Sequence, residues 1–160
     1  MDLSTHCRRG LSVFATAVAM MLPFVASGAP ADGPAEPIGH VKTVVGDAWV
    51  GVPGAEVTAR VGTPLHIGAT MKTGPGASLG VTLRDETVIS IGPDSEVSVD
   101  EFLFDPSAGD LKLGANMVRG TLNFISGWIA RLKPDAQTVT TPTGMIGVRG
   151  THFLVKIAEQ

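Results

Sequence analysis

The chain is predicted to be all-β, a single domain of short strands forming a β-sandwich, a β-roll or a solenoid-like stack, preceded by a helical signal segment. Three observations predict it. From Ile38 onward, apolar residues alternate with polar or small ones, the period of two that a half-buried strand requires. Glycine and proline, 20 and 11 in 160 residues, interrupt these runs too often for long helices. Hydrophobic residues make up 44% against 17% charged, enough apolar surface to offset the entropy of ordering a chain.

In order along the chain, residues 1–28 read as a secretory signal. Arg8 and Arg9 precede an apolar stretch from Leu11 to Ala26, and the small residues Ser27, Gly28 and Ala29 follow. The stretch is shorter than the ~20 residues of a membrane-spanning helix, and Pro23 breaks it, so no transmembrane segment is expected in the mature chain. The paired arginines leave both the general and the twin-arginine export routes open. Cys7, the single cysteine, stands before the apolar run, the wrong side for a lipid-anchoring cysteine; its removal leaves no thiol for a disulfide, a nucleophile or a metal. Residues 29–37, with Pro30, Pro34 and Pro37, read as a flexible lead-in. The β-domain is expected over 38–160.

Within it, Gly46-Asp47 lies between two β-rich runs and predicts a hairpin or a bulged strand, with Trp49 in the core. Leu79, Val81 and Leu83, then Ile89 and Ile91, then Val97 and Val99 mark three successive strands with one buried face each. Gly74-Pro75-Gly76, Asp85-Glu86 and Gly92-Pro93-Asp94-Ser95 supply the turn chemistry between them. Phe102, Phe104, Leu111 and Leu113 continue the alternation around a polar loop, Asp105 to Asp110. Val118, Leu122, Phe124 and Ile125 follow. Ser126 to Leu132 predicts one short helical turn, which Pro134 ends. Val139, then Met145 to Val148, then Phe153 to Val155 complete the strands.

The stretch Thr141-Pro142-Thr143-Gly144-Met145-Ile146-Gly147-Val148-Arg149-Gly150-Thr151-His152-Phe153 resembles the closing motif of the FecR domain family. Met71-Lys72-Thr73-Gly74, Asp85-Glu86-Thr87, Gly92-Pro93-Asp94-Ser95 and Gly120-Thr121 resemble further turns of that family in the expected order, together covering almost all of the mature chain. Glu86 departs from the pattern, standing where the family has glycine; a turn needing positive φ there would be strained, so a different loop is expected. The family's sigma regulators carry a cytoplasmic helical segment and a membrane helix. Only ten residues precede the apolar run here, so the resemblance implies an exported β-module without the anti-sigma output.

Charge narrows the partners. Loss of Arg8, Arg9 and Asp2 with the signal makes the mature chain more negative by one unit than the full sequence, which carries −3, and leaves no basic block, so nucleic acid is not an expected partner. His40, His66 and His152 lack the short spacings of a metal site, and the acids Asp100, Glu101, Asp105 and Asp110 lack the pattern of a calcium loop, so no metal or cofactor is expected. No serine sits in a nucleophile elbow and no glycine run carries a phosphate-loop lysine, so no catalytic residue is assigned and no enzyme is expected. The binding candidates are Trp128, with Gly127 and Arg131 in an exposed bend, and Arg149, whose guanidinium could grip an acid. The favoured structural reading pairs Arg149 with an acid such as Asp85 on a neighbouring strand and has Gly147 and Gly150 permit a tight crossing. Thr141, Pro142, Gly147, Arg149, Gly150 and Thr151 are then structural members of the closing motif. The expected role is a periplasmic or secreted binding or sensory module contacting an envelope protein or cell-surface polymer, with a structural or adhesive polysaccharide-recognition module as the alternative.

Overall fold

Period-two alternation becomes twelve strands in the computed structural model, which describes residues 36–52, 54–149 and 152–157. The signal segment, most of the lead-in, Gly150 and Thr151 lie outside the described residues. The strands are β1 (Gly39–Val45), β2 (Ala48–Val52), β3 (Ala55–Thr58), β4 (Pro64–Leu65), β5 (Thr70–Thr73), β6 (Ser78–Leu83), β7 (Val88–Ile91), β8 (Glu96–Asp105), β9 (Asp110–Ile125), β10 (Gln137–Thr141), β11 (Gly144–Gly147) and β12 (His152–Ile157). One short helix, α1 (Trp128–Leu132), and a 3-10 turn at Pro134–Ala136 separate β9 from β10. The fold is all-β: a curled, mostly antiparallel sheet in the order β3-β2-β5-β8-β9-β7-β6-β1-β4, with β10, β11 and β12 attached beyond β9.

β9 is the spine of this sheet. β7 and β8 follow one another along one edge of it, Val88 to Ile91 opposite Ile125 to Leu122 and Glu96 to Asp105 opposite Arg119 to Asp110. Its other edge takes β10, parallel, at Leu113–Asn116 and β12, antiparallel, at Gly120–Ile125. Where β7 passes into β8, β9 bends at Gly120, whose φ of +92° is costly for any residue with a Cβ. A Cβ there would also lie 2.5 Å from the Cα of Ser95. Buried Ser95 fills that space: its Oγ accepts from Thr121 N at 2.9 Å, and its own N–H donates to Thr73 Oγ1 at 3.0 Å. Thr73 Oγ1 in turn donates to Gly92 O at 2.6 Å, so β5, β9 and the Gly92–Ser95 crossover are stitched at one point.

The inner faces bury a single apolar cluster. Leu79, Val81 and Leu83, Ile89 and Ile91, and Val97 and Val99 all point inward, as their alternation predicts, and meet Leu113, Met117, Leu122 and Phe124 of β9. Ile129 of α1 and Val139 of β10 join the same cluster. Two expectations fail near the start. β1 pairs with β4 and β6 while β2 pairs with β3 and β5, so Gly46-Asp47 turns a corner between different partners instead of closing a hairpin. Ala48 and Val50 take the inward positions, which leaves Trp49 on the outer face, half-buried, and not in the core. The bulge anticipated near this point falls earlier, between Val41 and Thr43 of β1.

The β8–β9 hairpin closes through the polar loop read from the sequence. Asp105 Oδ1 accepts from the N–H of Ser107 and Ala108 and from the Ser107 hydroxyl, an Asx-type turn built by the chain's own donors. The Ser107 side-chain hydrogen bond, then the Ala108 N–H, hold the Asp105 carboxyl below the ordinary aspartate value.

Replacing Gly120→Ala is expected to lower stability by about 3 kcal/mol, because backbone strain and a backbone collision act at one residue. Urea unfolding measures it, and a loss under about 1 kcal/mol would show that the bend does not need glycine. Because the folded pKa of Asp105 is depressed, its contribution to the turn is present above the unfolded aspartate value and is lost as pH falls through the folded one. Titration of the Asp105 carboxyl by NMR should therefore give a midpoint below that of a free aspartate, rising in Ser107→Ala; an unchanged midpoint in that variant removes the hydroxyl as the main cause.

Candidate functional site

The β6–β7 turn and the start of α1 form one hydrogen-bonded unit. Leu83 N donates to Thr87 O at 2.9 Å and Glu86 N to Leu83 O at 3.1 Å, closing the turn. Asp85 is fully buried and its carboxylate is spent locally: Oδ1 accepts from Thr87 N at 3.1 Å and Oδ2 from Thr87 Oγ1 at 2.6 Å. Thr87 Oγ1 accepts in turn from Gly127 N at 3.0 Å, and Trp128 N donates to Asp85 O at 2.7 Å. The N–H groups of Gly127 and Trp128, at the start of α1, are thus satisfied by the turn, the N-cap glycine having no side chain to do so. Gly127 has to be glycine for this approach, since a Cβ there would collide with Asp85 O and Thr87 N and sit 2.7 Å from the carbonyl carbon of Glu86.

Glu86 has φ +66°, so the turn keeps a left-handed residue where the sequence predicts a different loop. The network on either side over-determines the backbone, and the strain, on the order of 1–2 kcal/mol, is borne. The same conformation aims the Glu86 side chain at the helix, where Oε2 accepts from Trp128 Nε1 at 3.0 Å. On the ring's face the Arg131 guanidinium lies 5.2 Å from the centroid, within cation–π range. Ile129, fully buried, pins α1 to the core, so Trp128 is fixed while remaining 43% exposed. Leu132, one turn on, is exposed beside it. The structure brings Trp128 and Arg131 together, and Glu86 is the partner the sequence did not announce. Its signal was the departure from glycine itself.

Arg149 stands elsewhere. Its Nε donates to Asp135 Oδ1 at 2.6 Å, both side chains well exposed. The expected pairing with Asp85 does not form, because Thr87 occupies both carboxylate oxygens of a group sealed from solvent. Val148 N bonds to Gln137 O, which carries Arg149 past the 3-10 turn that bears Asp135. An exposed ion pair of this kind contributes little to stability and leaves the guanidinium accessible. Gly147 serves no tight crossing, since a Cβ there would meet nothing within 4 Å. Thr141, nearly buried, shapes the β10–β11 turn through its hydroxyl, which donates to Gly144 O at 2.8 Å, with Pro142 exposed in that turn. Of the acidic stretch, Glu101 pairs with Lys112 at 2.9 Å and Asp100 accepts from Ser98 Oγ at 2.8 Å. His152 Nε2 shares a hydrogen bond with Asn123 Oδ1 at 2.6 Å.

Beyond β9, the outer margin of the sheet is uneven. β11 lies outboard of β10, whereas among the described residues β12 pairs only with β9. The step leaves an open notch of about 350 Å³ lined by Ile146, Val148, Arg149, His152, Phe153 and Val155. Phe153 stacks on Phe124 with centroids 4.9 Å apart, yet it stays only half-buried, as do Val155 and Ile157 on the same face of β12.

A family model described as FecR protein matches residues 69–160, more than half of the chain and the region that holds both the Trp128 cluster and the notch. No curated protein and no solved structure matches.

Substituting Glu86→Gly is expected to relieve the left-handed strain and raise stability by about 1 kcal/mol while releasing the indole. In a chain whose only tryptophan is Trp128, through Trp49→Phe, the steady-state anisotropy should fall as the unfolding midpoint rises. A midpoint that drops instead would show that the carboxylate–indole bond outweighs the strain.

Proposed function

The chain belongs to the FecR family, and from that membership we propose that it works as an exported, non-enzymatic binding or sensory module of the bacterial envelope, acting by contact with another envelope protein. The family resemblance ties the β-domain to the envelope, and the charged, apolar and small-residue order of residues 1–28 supports its export. Among the described residues, no helix is long and apolar enough to cross a membrane.

The observation that carries the contact reading is the held tryptophan. An indole is an interface anchor when it is exposed and rigid, since little side-chain entropy remains to be lost on binding. Trp128 meets both conditions: its edge is tied to Glu86, its face lies under Arg131, and its helix is nailed down by Ile129. Leu132 extends the apolar surface and Arg131 adds a charge beside it, the mixture of aromatic and arginine that protein interfaces concentrate. The same ring could stack on a sugar, which is the basis of the polysaccharide-recognition alternative.

A photo-reactive phenylalanine analogue at position 132 is expected, on illumination of intact cells, to form an adduct with one discrete envelope protein. Trp128→Ala should abolish that adduct without altering the fold by circular dichroism. Saturable binding on a glycan array that disappears in the same variant, with no protein adduct, would replace this reading with the polysaccharide one.

A further inference from the structure

We propose that the notch beside β12 is a strand-addition site for an extended segment of a partner protein, apolar on its inward face and acidic on its outward face. The proposal names a partner chemistry for the contact reading and rests on it. β12 has one edge laddered to β9 and, among the described residues, the other edge without a strand, so its outward N–H and C=O groups are those an added strand would use. The side chains agree with the backbone. Phe153, Val155 and Ile157 face the core but remain half-buried, with no strand on their flank among the described residues, and Ile146 and Val148 extend the apolar floor across the notch. A strand laid on β12 would continue the line of β11, turning a stepped margin into an even one.

Charge decides the occupant. On the exposed face, His152 and Lys156 lie opposite Ile125 and Thr121 of β9, neither of them acidic, and Arg149 projects from the rim with Asp135 as its partner. Across β9, then, no acid stands opposite Lys156, although the chain is acidic overall. A second copy fits poorly: antiparallel pairing of two β12 strands about Leu154 sets His152 of each beside Lys156 of the other, which brings no acid to either lysine. The chain's own lead-in fits no better, since Pro30, Pro34 and Pro37 lack the N–H a ladder needs. A segment with Asp or Glu on its outward face meets Lys156 and Arg149 with opposite charge, while its alternate apolar side chains cover Phe153 and Val155.

The test uses two capped heptapeptides of alternating valine with glutamate or with lysine, added to the purified chain. The valine–glutamate peptide is expected to bind about tenfold more tightly or better, to slow amide exchange at residues 152–157, and to fail when its alternate amides are N-methylated. Charge reversal at two exposed positions, Arg149→Glu with Lys156→Glu, should invert the peptide preference at an unchanged unfolding midpoint. Equal binding of both peptides, or protection confined to other strands, overturns the proposal. So does a concentration-dependent dimer with β12 protected, which would assign the edge to a second copy. If the peptide fails while the position-132 adduct persists, the notch is wrong and the contact reading stands.

Discussion

The structure depends on one strand changing partners without losing its hydrogen bonds. β9 is sixteen residues long, and its two halves serve different neighbours: β8 and β10 along the first, β7 and β12 along the second. A straight ribbon of that length would give a flat sheet with no interior. The bend at Gly120 turns the second half so that both inner faces look at the same core, and Ser95 pairs the backbone that the bend would otherwise strand. The register shift between Glu96 and Val97, which leaves Val118 of β9 unopposed, lies just before that bend. Curl, core and the placement of everything after β9 follow from it.

Two surfaces are consequences of that spine. The chain leaves β9 at Ile125 directly against the β6–β7 turn, which is why Gly127 can approach Asp85 and Thr87 so closely and why Trp128 emerges where Glu86 can hold it. It then returns to the far edge of β9 twice, once parallel as β10 and once antiparallel as β12. Among the described residues, only β10 brings a hairpin partner with it. The stepped margin thus comes from connectivity, and among the described residues the sheet offers an open edge of six residues at β12 beside the notch.

Much of this was legible because strands declare themselves locally. The faces of β6, β7 and β8 follow from alternation alone, and the Asp105–Asp110 loop, the helical turn before Pro134 and the closing motif were readable from residue type and spacing. Trp49 was misread because alternation states that two faces differ without saying which is inward; Ala48 and Val50 settle it only once β2 has partners on both sides. Arg149 pairs with an acid, but with Asp135 and not with Asp85, for a related reason. A buried aspartate two residues from a threonine looks free in sequence and is fully engaged in space.

Residue order alone dictates that the chain is β throughout, where most of its strands turn, which family its motifs belong to and that Trp128 stands on a short helix. These properties rest on interactions within a few residues, where steric preference and side-chain period act directly. It took the assembled sheet to settle that Glu86 keeps a strained left-handed backbone, that Trp128 is clamped by Glu86 and Arg131, and that among the described residues β12 is left with a bare edge. Those depend on which distant strands lie side by side, and that choice is made by the core as a whole when β9 bends, not by any one segment's own preferences.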